Sequence, residues 1–166
     1  MNKIIISVCL LLLIGCDFSA EEGKGYYDRH PLEYVQGKLK FPVPQDVQIL
    51  EAFDTHGGFH GDGEFYLVLQ FNKRQISKFV DEVSKNNKWQ KLPVSDLHNS
   101  IGRNFRGWEK RRYEVPSKAK NGYYYFHDFQ RDWYPNDPNA GKYSVNYVIA
   151  ILDLDSNRLF VFQIDT

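Results

Sequence analysis

Cysteine is nearly absent: the 166-residue chain has two, Cys9 and Cys16, both within its first sixteen positions. No internal disulfide can brace the residues that follow, so their stability has to come from packing. Net charge is lacking too, with 21 Lys and Arg against 21 Asp and Glu. A balanced chain offers no broad basic surface, which argues against nucleic acid as a partner. Long apolar runs are missing. Ile4 to Ile14 is mostly apolar, but as a helix it covers only about 17 Å, against a hydrocarbon core of about 30 Å. There is no Gly-x-Ser-x-Gly, no His-Glu-x-x-His and no phosphate-binding glycine loop. The usual marks of a serine hydrolase, a zinc protease and a nucleotide-binding protein go with them, and no cofactor is implied. Repeats and low-complexity segments are absent as well.

Aromatic residues are plentiful: 12 Phe, 11 Tyr and 3 Trp. Each buried ring removes about 150–250 Å² from water, so a core without disulfides is within reach. Beyond Cys16 about 150 residues remain, a comfortable length for one domain.

The amino terminus has its own pattern. Lys3 precedes the apolar run, which ends in Leu13-Ile14-Gly15-Cys16. A positive start, a short apolar stretch and a small residue before the cut make a secretory signal. The last four residues resemble the lipobox of bacterial lipoproteins. That resemblance implies lipid on Cys16 (diacylglycerol, with a further acyl chain such as palmitate), cleavage before it, and firm membrane attachment through more than one chain. A plain cleavable signal would favour a small residue three before the cut, where the bulky Leu13 stands. Asp17 resembles the signal that keeps enteric lipoproteins in the inner membrane, so the periplasmic side of that membrane is the expected location. The expected organisation is a signal peptide over 1–15, a lipidated flexible tether over 16–25, and a globular domain over 26–166.

Within the domain, Pro31 to Gly37 reads as a short helix. Glu64 to Phe71 alternates, with Phe65, Leu67, Leu69 and Phe71 on one apolar face. Val47 to Asp54 is its expected hairpin partner. Asn72 reads as the cap of a helix whose Ile76, Phe79, Val80 and Val83 fall at i, i+3, i+4 and i+7. That helix should stop near Asn86-Asn87, with a short strand at Trp89 to Leu92. Ser95 reads as the cap of a second short helix ending at Gly102. Gly122 to Phe129, Tyr143 to Leu154 and Leu159 to Asp165 read as strands, the last two as a hairpin around Asp155-Ser156-Asn157. The fold class is therefore α+β: a single domain with a mainly antiparallel sheet of about five strands and one or two helices packed on one face.

The best chemical candidate is the first hairpin loop, Asp54-Thr55-His56-Gly57-Gly58-Phe59-His60-Gly61-Asp62-Gly63-Glu64. His56, His60, Asp62 and Glu64 form a candidate binding loop, because imidazole and carboxylate together suit Zn²⁺ or a similar cation. Glycine lets backbone approach a ligand closely. The spacing matches no established metal motif, and a long turn held by His–Asp hydrogen bonds explains the residues as well. No metal is therefore assigned. Asp153-Leu154-Asp155-Ser156-Asn157 starts like a calcium loop but has Arg158 and Ile164 where Gly and Glu belong, so it reads as a hairpin turn. Three further features remain. His127-Asp128 could join the loop histidines in space. Trp133-Tyr134 could grip a ligand or pack into the core. The basic, aromatic stretch from Arg103 to Lys120 could face anionic lipid headgroups or an acidic partner, but reads better as a solvated connection whose aromatics tuck into the core.

The loop from Asp54 to Gly63 and the ending Asn146 to Asp153, Leu159-Phe160 and Asp165-Thr166 together resemble a group of small bacterial secreted proteins and lipoproteins. The resemblance implies no activity. The expectation is a membrane-tethered, non-catalytic binding or accessory domain of the cell envelope, with an envelope protein as a candidate partner. One alternative is a lipid-anchored immunity protein that blocks a toxin. Another is a metal-dependent hydrolase using the His56/His60 loop.

Overall fold

The computed structural model describes residues 30–41, 43–56, 62–93, 114, 116, 118–139 and 145–166. In chain order they form α1 (Pro31–Leu39), β1 (Gln48–Asp54), β2 (Gly63–Gln70), α2 (Lys73–Lys85), β3 (Trp89–Lys91), β4 (Gly122–Asp128), α3 (Phe129–Trp133), β5 (Asn146–Asp153) and β6 (Arg158–Asp165). The expected second helix after Ser95 lies outside the described residues.

The strands make one six-stranded sheet in the order β1-β2-β6-β5-β4-β3. Every pair is antiparallel, as the α+β reading requires. Hairpins account for β1–β2 and β5–β6. The β2–β6 pair is the long-range one, matching Gly63 to Asp165 through Gln70 to Arg158 without a break. It puts β2, β6 and β5 in the interior, and these strands are apolar on both sides.

Burial on both sides goes beyond the single apolar face read from Phe65, Leu67 and Leu69. Those residues, with Val148, Ala150, Leu152, Leu159 and Val161, pack against Tyr34 and Val35 of α1 and Ile76, Phe79 and Val83 of α2. The opposite face carries a second cluster: Tyr66, Val68, Tyr124, Tyr147, Ile149, Ile151, Phe160 and Phe162. Tyr66 donates its hydroxyl to the Glu114 carbonyl at 3.0 Å, and Arg158 Nη1 reaches the Glu114 carboxylate at 3.0 and 3.2 Å. These bonds hold the β3–β4 connection against that face at Glu114.

Local chemistry sets the element ends. Asn72 Oδ1 accepts from the Arg74 and Gln75 amides, and Gln75 Oε1 accepts from the Asn72 amide at 2.9 Å. This reciprocal box satisfies donors that the first turn would leave free. Helix α1 runs two residues past Gly37, and Lys40 takes the left-handed conformation at its end, with φ 54°. Glycine costs about 1 kcal/mol inside a helix. Here Tyr34 and Val35, buried against the sheet, hold the helix through it.

Candidate functional site

The described ends of the loop, Asp54 to His56 and Asp62 to Glu64, lie at one end of the sheet. Asp54 closes β1 and is buried, its side chain fully so. Its Oδ1 accepts the His56 backbone N–H at 2.9 Å and lies 2.6 Å from His56 Nδ1. A carboxylate only accepts, so this contact places the hydrogen on Nδ1. The ladder then runs one step past Asp54: Thr55 N–H donates to the Glu64 carbonyl at 2.9 Å, and Glu64 N–H donates to Thr55 Oγ1 at 2.8 Å. The Tyr34 ring of α1 stands 6.3 Å from the His56 ring and 4.4 Å from Phe65. A buried carboxylate thus orients the imidazole, and an aromatic ring stands beside it. Such second-partner orientation is what a metal ligand, a general base or a fixed binding group requires.

Of the four residues singled out in the loop, the three that are described, His56, Asp62 and Glu64, do not share one face. His56 and Asp62 lie at the helix-covered end, where both act electrostatically on Asp165. Glu64 is one strand position away from Phe65, so its side chain turns to the opposite face. There it adds to the upward pKa shift of the Tyr147 hydroxyl, which burial mainly causes. His60 and Cys16 lie outside the described residues. Among the described residues, no group of three or more His, Cys, Asp or Glu could hold a metal ion.

His127 does not join His56. Between β4 and β1 lie β5, β6 and β2, a separation of about 19 Å at the usual strand spacing. Instead His127 Nε2 pairs with Asp132 of α3 at 2.9 Å, edge-on to Phe129 at 4.5 Å. Asp128 caps α3 by accepting from the Gln130 and Arg131 amides. Trp133 and Tyr134 lie on the surface, 59% and 56% exposed, not in the core. Asp153 Oδ1 accepts from the Asp155 amide and Oδ2 from the Ser156 hydroxyl, and Asn157 takes φ 54°. That is a hairpin turn, as read from the sequence.

Three polar residues at this end of the sheet were not singled out in the sequence: Asn146 on β5, and Gln163 and Asp165 on β6. Register puts Asn146 directly opposite Asp165. Gln163 lies opposite Phe65 and Val148, both in the helix-side core, so all three face α1. A signal for them existed. Gln163 interrupts the run Leu159-Phe160-Val161-Phe162-Gln163-Ile164 on the inward side, where an amide needs a partner. Burial raises the Asp165 pKa most and Asp62 raises it further, while His56 and Lys38 of α1 pull it down.

Among the described residues no helix is long and apolar enough to cross a membrane. Comparison of the chain with protein-family models, with curated proteins and with solved structures finds no match.

Proposed function

We propose that the protein is a membrane-tethered extracytoplasmic lipoprotein whose α+β domain binds a ligand or an envelope protein without catalysing a reaction. The observation that carries this reading is Leu13-Ile14-Gly15-Cys16 at the end of a short apolar run behind Lys3. Lipid on Cys16 anchors the chain, residues 16–25 act as the tether, and Asp17 favours the periplasmic side of the inner membrane. The polar end of the sheet supports a binding role. Its groups are oriented and partly desolvated, as recognition requires. His56 is held by Asp54 within hydrogen-bond distance, which suits a fixed contact.

Membrane fractionation with mass spectrometry of the mature protein tests the anchor. The wild-type chain is expected in the membrane fraction, beginning at an acylated Cys16. Cys16→Ser is expected in the soluble fraction or as unprocessed precursor. Membrane-bound protein with an intact, unlipidated Cys16 would overturn the reading. Crosslinking and affinity capture of the native lipoprotein from membranes would then expose an envelope partner directly. A secreted toxin as the captured protein would turn the binding role into immunity.

A further inference from the structure

The α1-covered end of the sheet brings three oxygen-bearing side chains together on adjacent register positions. Asp165 faces Asn146 across β5–β6 and Gly63 across β2–β6. Gln163 precedes Asp165 by two residues, hence on the same face. Side chains directly opposite in an antiparallel pair have Cβ atoms about 4.5–5.5 Å apart, and diagonal neighbours are within reach of long side chains. Asn146 and Gln163 are only 2% and 1% exposed. Their oxygens, Asn146 Oδ1 and Gln163 Oε1, are buried and have no hydrogen-bond partner. A buried acceptor left unsatisfied is costly, so a native fold rarely keeps one without a partner. Here two lie diagonally across β5–β6, beside a carboxylate that burial has already partly desolvated.

All three groups present acceptors. Among the described residues no donor closes on the two carboxamide oxygens, and Lys38 Nζ sits above the Tyr34 and Phe129 rings, at 5.9 and 5.3 Å from their centroids. Asp62 lies within electrostatic reach of Asp165 and adds a fourth source of oxygen. Desolvated oxygens of mixed carboxylate and carboxamide type are the donor set of hard divalent cations. Calcium takes about 6–8 oxygens, filling the balance from backbone carbonyls and water.

We propose that Asn146, Gln163 and Asp165, with Asp62 beside them, form an oxygen-lined site for a hard divalent cation of the Ca²⁺ class. The site shares only Asp62 with the two-histidine loop, uses oxygen rather than imidazole donors, and does not depend on where the chain is anchored. Lys38 opposes the cation through its charge and limits the affinity.

The test uses the full-length protein in detergent, freed of metal by a chelator, then titrated calorimetrically with Ca²⁺ alone and with Mg²⁺ alone. Ca²⁺ is expected to bind once per chain, with a dissociation constant of about 10⁻⁴–10⁻³ M, and to raise the melting temperature. Mg²⁺ should bind more weakly, because it requires a small octahedral shell. Asp165→Asn should weaken Ca²⁺ about tenfold or more, and Lys38→Met should tighten it. A role for the three residues in structure alone predicts neither change. Absence of Ca²⁺ binding well above about 1 mM, or an Asp165→Asn affinity equal to wild type, would overturn the proposal. If Asp165→Asn does not fold, Lys38→Met decides, and an unchanged affinity there counts against the site. Gln163→Leu separates a cation from a buried water: equal shifts in melting temperature with and without Ca²⁺ would mean water alone.

Discussion

Gly63 has no room for a side chain. A Cβ there would stand 2.5 Å from the His56 nitrogen and 2.6 Å from its Cα. The glycine thus lets the chain beyond β1 fold over β2 and delivers His56 to the place where Asp54 holds it. Gly63→Ala must push the His56 backbone away, so we expect a loss of about 1–3 kcal/mol, as for other overpacked sites. Urea unfolding of the variant, with the His56 imidazole followed by NMR, checks both parts. A stable variant with an unmoved His56 signal would refute the account. The sequence showed that this loop was special, through its glycines and histidines. It did not show which glycine was needed for space, because that depends on a contact across two strands. Asp54 is a similar case. It reads as a loop acid, yet its side chain is fully buried and serves as the partner of His56.

Local rules act most openly on α2. Asn72 and the stripe Ile76-Phe79-Val80-Val83 prefigured a capped helix lying on the sheet; the cap is present, Ile76, Phe79 and Val83 are buried, and Val80 is partly so. Phe79 stacks on Phe71 at 5.1 Å and meets Phe41 and Trp89 edge-on at 6.4 and 6.3 Å. Phe79→Ala is therefore expected to cost about 3–5 kcal/mol, the usual range for a buried Phe truncation. A loss below about 1 kcal/mol in chemical unfolding would mean the ring is not a core residue. The exposed Lys85–Asp81 pair at 2.6 Å on the same helix should matter little by comparison, since solvent screens both charges. Strand β2 was half legible. Alternation of Phe65, Leu67 and Leu69 gave one face, but Tyr66 and Val68 are buried too. A tyrosine and a valine between apolar neighbours carry no periodic mark of which way they point. Their burial follows from an interior place in the sheet, which only the β2–β6 pairing decides.

That pairing sets the whole molecule. It joins residues about a hundred positions apart and converts two hairpins into one sheet with a core on each face. Nearest-neighbour reasoning anticipated the α+β class and antiparallel strands, but it had no access to this closure. The polar trio Asn146, Gln163 and Asp165 stayed hidden for the same reason. Asn146 and Asp165 read as ordinary strand-end residues, and Gln163 as a break in an apolar run, until β6 is placed between β2 and β5. Closure also bears on independence from the anchor. Both described core clusters are built from residues between Leu32 and Ile164, and no cysteine follows Cys16. Nothing in either cluster calls on the lipid or a disulfide. A chain beginning at Lys24 is thus expected to fold alone and to melt in one cooperative transition at neutral pH, unaffected by reductant. Loss of near-ultraviolet circular dichroism with retained secondary structure, the mark of a molten state, would show that the two clusters need the preceding residues to pack.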